Sequence, residues 1–151
     1  MTIKPSISLS ISVVCYNSSP DEVRQLLESL LNAILYLGQS QTLSVTPIYL
    51  VDNSDQTPLS LDIFAEFGAL CTELKVDLRH LHGQGNVGYG RAHNLVLEKL
   101  DSDCHLILNP DVVLEEAALG EALNSIEDKS GRVMLSPNAK NSSGGKQYLC
   151  K

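Results

Sequence analysis

Short apolar runs that end abruptly in polar turns, each followed by a helix-spaced pattern, recur along this chain and leave few folds open to it. The sharpest is CHLILNPDVVL, Cys104 to Leu114, where Leu106 to Leu108 give way to Asn109, Pro110 and Asp111. So short a run between polar residues predicts a central strand, buried on both faces as in parallel sheets. Pro110 has no N–H to give a ladder, so the strand stops before it and Asp111 falls at its carboxyl end. Open α/β sheets bind their ligands along that edge. Asp111 is therefore the leading candidate to hold a metal ion; the alternative is that it caps a helix starting near Glu115.

The same grammar runs through the chain. Ile7, Leu9, Ile11 and Val13 alternate with serines, a period-2 strand that ends in CYNSSPDE. Ser19 and Glu22 form a capping box with Pro20 at the first helical position, and Val23, Leu26, Leu27, Leu30, Leu31 and Ile34 follow at helical spacing up to Gly38. A strand over about 45–51 leads into DNSDQTP, then a short helix over Leu59 to Phe67 closed by Gly68. A strand over about 74–81, the loop HGQGNVGYG, and a helix over about 90–100 precede the NPD strand. A helix over about 115–126 and an apolar run, Val133 to Leu135, close the pattern, and the tail NAKNSSGGKQYLCK carries no obvious element. The expected fold is α/β: a mostly parallel sheet with helices on both faces, a Rossmann-like nucleotide-binding half over 1–137, followed by a tail or the start of another part over 138–151.

Charge narrows the ligand. The net charge is −7, 18 acids against 11 bases, which argues against a nucleic-acid surface. An anionic ligand would need helix N-termini or a divalent cation to be held here. Cys15, Cys71, Cys104 and Cys150 are scattered with no CxxC pair; two sit in apolar runs and read as small buried hydrophobes. No run reaches the ~18 apolar residues of a membrane span, and no leader pattern opens the chain, so a cytoplasmic protein is expected.

Four strand-to-helix turns gather the polar residues: Cys15 to Ser18, Asp52 to Asp55, Gly85 to Gly90, and Asn109 to Asp111. Right-handed parallel connections place them on one rim. A literal GxGxxG, Gly83, Gly85 and Gly88, invites a dinucleotide reading with Asp103 as the ribose contact. That fingerprint belongs in the first unit of such folds, and here the first turn has no glycine, so a glycine-loosened loop is the better reading. The four histidines show no ligand spacing; His93 is assigned to the pocket and His80, His82 and His105 to the scaffold.

SVVCYNSS, YLVDNSD, GNVGYGRAHNLVL and LILNPDVVL, in that order, resemble the motifs of inverting family-2 glycosyltransferases of the GT-A fold, most of all a rhamnosyltransferase-like branch with NPD in place of DxD. The resemblance spans about residues 7–137. It implies that Tyr16 and Asn17 border the nucleotide, that Asp52, with Asn53 beside it, contacts the base, and that Asn86, Gly88, Arg91 and Asn94 line the diphosphate and sugar. It further implies that Asp111 binds a divalent metal, Mg²⁺ or Mn²⁺, bridging the diphosphate, with Asn109 at the motif's first position leaving one carboxylate at the metal. The implied partners are a dTDP- or UDP-linked sugar and a saccharide or lipid-linked acceptor, in surface polysaccharide synthesis, with the enzyme peripheral at the inner face of the membrane. The residues agree: Mg²⁺ takes one or two carboxylates plus substrate phosphates, a carboxylate can accept from an imide N–H, and Arg91 can pair with phosphate.

An inverting transfer also needs a general base. The acids after Asp111, namely Glu115, Glu116, Glu121, Glu127 and Asp128, fit a helix's solvated face, and none is nominated. The chain thus reads as the donor-binding half of a transferase, with self-association as an expected consequence of exposed apolar surface. The alternative is a non-catalytic nucleotide-sugar-binding or interaction module.

Overall fold

The computed structural model describes residues 7–55, 58–127, 131–141 and 143–147. Four parallel strands, β1 (Leu9–Cys15), β2 (Thr46–Asp52), β3 (Val76–Leu81) and β4 (Cys104–Leu108), form one sheet in the order β3-β2-β1-β4. The order runs outward from β1 to β3, then returns to place β4 on the other side of β1. Right-handed crossovers made in opposite directions put their helices on opposite faces. Helices α1 (Pro20–Gly38), α2 (Asp62–Glu73) and α4 (Ala118–Glu127) accordingly share the larger core. Helix α3 (Tyr89–Leu97) covers the other face through Ala92 and Val96, packed with Val14, Tyr49 and Val51.

Helix α1 forms as its sequence predicts. Ser19 accepts from the Glu22 N–H at 3.1 Å while the Glu22 carboxylate accepts from the Ser19 N–H at 3.0 Å, and the stripe Val23, Leu26, Leu27, Leu30, Leu31, Ile34 is buried. The Ser19 cap contributes about 1 kcal/mol. Gly38 is the last helical residue, and Gln39 caps it in a right-handed conformation, so no left-handed glycine ends this helix.

Several expected boundaries move. Helix α2 begins at Asp62, because the Leu59 N–H is taken by the Asp52 carboxylate at 2.7 Å and the chain there turns instead of coiling. It runs past Gly68 to Glu73, which keeps Cys71 in the core, and stops at Lys75, whose φ is +56°. Helix α4 starts at Ala118, after Leu114 is pinned by its N–H to Ser29 Oγ at 3.1 Å. Among the described residues strand β4 is an edge strand of this sheet and half-buried, with Ile107 at 47% exposure, where the sequence predicted a central, doubly buried one. Hydrophobicity cannot report strand order, and the run is apolar enough for either position. Val133 to Leu135 make no strand and are exposed. The tail does contain an element: β5 (Ala139–Lys140) and β6 (Lys146–Gln147) pair antiparallel around Asn141, whose Oδ1 accepts from Gly145 N–H at 2.8 Å. Cys150, Asp128 and the Glu127 side chain lie outside the described residues.

Candidate functional site

Parallel register fixes where the turns meet. Cys15 pairs with Asp52, Val13 with Leu108 and Val51 with Leu81, so all four strands end together on one edge. The strand order reverses between β1 and β4, and the crevice outside such a switch point is where open α/β sheets hold ligands. The first turn and the NPD turn flank it.

Hydrogen bonds tie each turn to the next. The Asn17 N–H donates to Ser54 Oγ at 2.9 Å, joining the first turn to the second. Asn17 has φ +50°, a left-handed conformation that asparagine tolerates better than most residues. The second joins the third through Asp55 Oδ1, which accepts from the Asn86 N–H at 3.2 Å, and through Asn53 Nδ2, which donates to the Gly88 carbonyl at 3.4 Å. Gln84 Nε2 donates to the Asp52 carbonyl at 2.8 Å and reaches Asn53 Oδ1 at 3.3 Å. The third joins the fourth where the Tyr89 hydroxyl donates to Asn109 Oδ1 at 2.9 Å.

The glycines of this loop serve its backbone. Gly83, Gly85 and Gly88 have φ of +90°, +64° and +84°, and a Cβ on Gly85 would stand 3.1 Å from Asp55 Oδ1. The dinucleotide reading fails on position as well. Asp103 sits at the amino end of β4, the edge opposite the turns, where its carboxylate accepts from the Ser8 N–H at 3.0 Å and the Ser8 hydroxyl at 2.6 Å.

Asp52 faces its own loop. It is 1% exposed, Oδ1 accepts from the Ser54 N–H at 2.9 Å and Oδ2 from the Leu59 N–H at 2.7 Å. Burial by itself would raise its pKa, but these hydrogen bonds outweigh it and hold the carboxyl below its usual range. His80 Nε2 lies 3.6 Å from Asp52 Oδ2, too long for a hydrogen bond, and burial beside His82 lowers that imidazole's pKa. In this geometry the carboxylate caps the second turn, each oxygen accepting one backbone N–H.

Other nominated residues face outward. Tyr16 is half-exposed, and Asn86, Arg91, Asn94, Asn109 and Asp111 are exposed. Asn53 is buried, engaged in tying the loops. Asn86 is also occupied, its Oδ1 accepting from the Gly88 N–H at 3.1 Å. Among the described residues, Arg91 has no ion-pair partner and Asp111 has neither a hydrogen-bond nor an ion-pair partner on its carboxylate. Asp111 does not cap α4, which begins seven residues later at Ala118. Its charge, after burial, is the second cause raising the Tyr89 phenol. Helix α3 starts at Tyr89, and its N-cap Gly88 gives no side-chain cap, so the N–H groups of its first turn are available to an anion.

Cys15 is buried, and burial together with Asp52 pushes its thiol up to about 12; Cys71 is buried as well. Tyr89, Asp55, Ser54 and Gln84 carried no role in the sequence reading, although Tyr89, Asp55 and Ser54 lie inside turns it singled out. Their roles are contacts between turns, for which a linear pattern holds no signal.

Residues 10–150 match the model of the glycosyl transferase family 2. The chain belongs to this family. Its fold is similar to the crystal structure of S. aureus TarS, with a TM-score of 0.57 at 23% identity over 81% of this chain and 20% of that one. It is also similar to TarS 1-349 in complex with UDP-GlcNAc, with a TM-score of 0.56 at 22% identity over 86% of this chain and 37% of that one. The UDP complex of TarS 1-349 gives a TM-score of 0.56 at 20% identity, covering 86% of this chain and 38% of that one. The chain therefore spans well under half the length of these structures. No curated protein matches it. Among the described residues no helix is long and apolar enough to cross a membrane, and no three His, Cys, Asp or Glu side chains form a metal cluster.

Proposed function

We propose that this chain binds the nucleotide-diphosphate sugar of a glycosyltransferase reaction along the rim of its four turns, as the donor half (1–137) of an inverting enzyme. The observation that carries the reading is the rim itself, with the exposed, uncommitted Asp111 beside the switch point. UDP is the first nucleotide to test, since two of the similar structures hold UDP or UDP-GlcNAc; dTDP is the second, from the resemblance to rhamnosyltransferase-like enzymes with NPD.

The residues fit a divalent ion of the Mg²⁺ or Mn²⁺ kind. Asp111 would supply one carboxylate and the donor's phosphates the rest, the usual Mg²⁺ arrangement. When bound, that ion neutralises the charge developing on the departing diphosphate. The chain's own contributions are positional. The uncapped start of α3 offers backbone N–H groups to a phosphate, Arg91 in its first turn adds a cation that can bind bidentately, and Asn94 is exposed one turn further on. Tyr16 and Asn17 border the nucleoside on the β1 side. Asp52 shapes the second turn from within. The acceptor, a saccharide or a lipid-linked saccharide of a surface polysaccharide, would meet the donor at the cytoplasmic face of the membrane.

Calorimetric titration with UDP and with dTDP, each with and without Mn²⁺, tests this reading. Binding of one of them, tightened by Mn²⁺, is expected. Absence of binding by both, or affinity indifferent to the ion, contradicts it.

A further inference from the structure

Beneath the rim, on the face covered by α3, runs a row of side chains that the donor reading leaves unused. Ser12 Oγ lies 2.7 Å from His93 Nδ1 and 2.8 Å from His105 Nε2. His105 Nδ1 lies 2.7 Å from Ser10 Oγ, which is itself 2.6 Å from Ser102 Oγ. Ser10 and Ser12 are alternate residues of β1 and so share a face, and Ser10 pairs in register with His105 of β4. Burial lowers the pKa of both imidazoles, His105 to about 4, so at neutral pH each ring carries one donor and one acceptor. His105 is thus held through both ring nitrogens and His93 through Nδ1. The row ends at His93, 3% exposed, whose Nε2 has no partner. What the His93 ring meets is Tyr89, centroid to centroid 4.5 Å and edge-on at 78°. The Tyr89 hydroxyl donates to Asn109, two residues before Asp111.

We propose that His93 is a positioning residue for the fourth turn: held through Ser12 and His105, its ring seats Tyr89, and Tyr89 holds Asn109 and the turn that carries Asp111. The free end of the row abuts Tyr89, the ring bonded to the NPD turn. The link to donor binding rests on the function proposed above; the link from His93 to Asn109 does not.

The experiment follows the Asn109 side-chain amide and the Asp111 backbone amide by NMR, without nucleotide, in the wild type and in Tyr89→Phe, His93→Leu and Ser12→Ala. All three variants are expected to move the Asn109 signals in one direction. The double variant Tyr89→Phe/His93→Leu should match Tyr89→Phe alone. Unmoved Asn109 signals in folded His93→Leu or Ser12→Ala, or additive shifts in the double variant, overturn the proposal. Ser12→Ala removes only one hydroxyl and serves if His93→Leu does not fold. A second arm measures UDP affinity. His93→Leu should lose about tenfold of the tightening by Mn²⁺, the scale for residues that orient a metal ligand, with UDP affinity unchanged in the absence of Mn²⁺. Equal losses in both conditions would mark a merely structural role. If the wild type binds neither UDP nor dTDP, the donor reading fails, and the resonance arm alone decides the positioning of Asn109; if it binds dTDP alone, dTDP replaces UDP in this arm.

Discussion

Replacing Asp52 by Asn separates a cap from a base contact. The carboxylate accepts one N–H on each oxygen, from Ser54 at 2.9 Å and Leu59 at 2.7 Å, at 1% exposure. Asp52→Asn keeps the shape but turns one acceptor into an NH₂, which faces an N–H and leaves it unpaired. Hydrogen bonds to a charged group contribute about 1.5–3 kcal/mol each, and an unsatisfied buried donor costs about 1–3 kcal/mol. The expected loss is therefore about 2–3 kcal/mol, or a fall in Tm of about 6 °C for a chain of this size. UDP affinity should stay within about twofold, since a carboxylate facing its own loop contributes nothing directly to binding. The pH dependence has a definite sign. The folded carboxyl is more acidic than the unfolded one, so its stabilisation is fully present above the unfolded value of about 4 and is lost as pH falls through the folded one. Thermal unfolding from pH 7 to pH 3 should show a gap between the two proteins that is constant down to about pH 5 and shrinks below about pH 4. An unchanged Tm combined with loss of UDP binding would refute the cap and restore the base contact.

Gly85→Ala should destabilise by about 1–2 kcal/mol in denaturant unfolding, because the position needs φ +64° and the new methyl meets Asp55 Oδ1 at 3.1 Å. Gly38→Ala, at a helical φ with open space around its Cβ position, should be neutral or stabilising, and an equal loss at both sites would undo that reasoning. Ser19→Ala should cost about 1 kcal/mol by removing one half of the capping box, measurable as a lowered denaturant midpoint at unchanged slope. Stability should fall on acidification from about pH 6.5 towards 4. His93 and His105 have lowered folded pKa values, the unfolded chain binds more protons in that window, and His105 at about 4 accounts for about 3 kcal/mol. A flat profile between pH 7 and pH 4.5 would contradict it.

The fold's alternation was legible because it is written in local periods: serines alternating with Ile and Val in β1, an apolar stripe from Val23 to Ile34 in α1, and a capping box that closes as drawn. What failed was set by contacts distant in sequence. The capture of the Leu59 N–H by Asp52 delays α2, and Cys71 carries α2 past a glycine that looked like its end. The place of β4 beside β1 follows from a crossover that turns back past β1, which no local pattern records. The rim was legible too, since every polar turn follows a strand and parallel strands end together. The identity of each side chain's partner was not: Asp52 is spent on its own turn and Asn53 on the neighbouring one, whereas Asp111 and Arg91 stay free of ion pairs among the described residues. The polar row of Ser102, Ser10, His105, Ser12 and His93 was not legible as a row, with its serines read as strand alternation, His105 as scaffold and His93 as pocket lining, because its members come from β1, α3, β4 and the turn before β4.

Manganese relaxation of amide signals in the presence of UDP tests the rim most directly. Bound Mn²⁺ broadens nearby resonances, so the account predicts loss of the Asp111, Gly88 and Tyr89 amides first, sharp signals at Ser8 and Asp103 on the opposite edge, and abolition of the effect in Asp111→Asn. Broadening centred away from the NPD turn, or undiminished in Asp111→Asn, would contradict it.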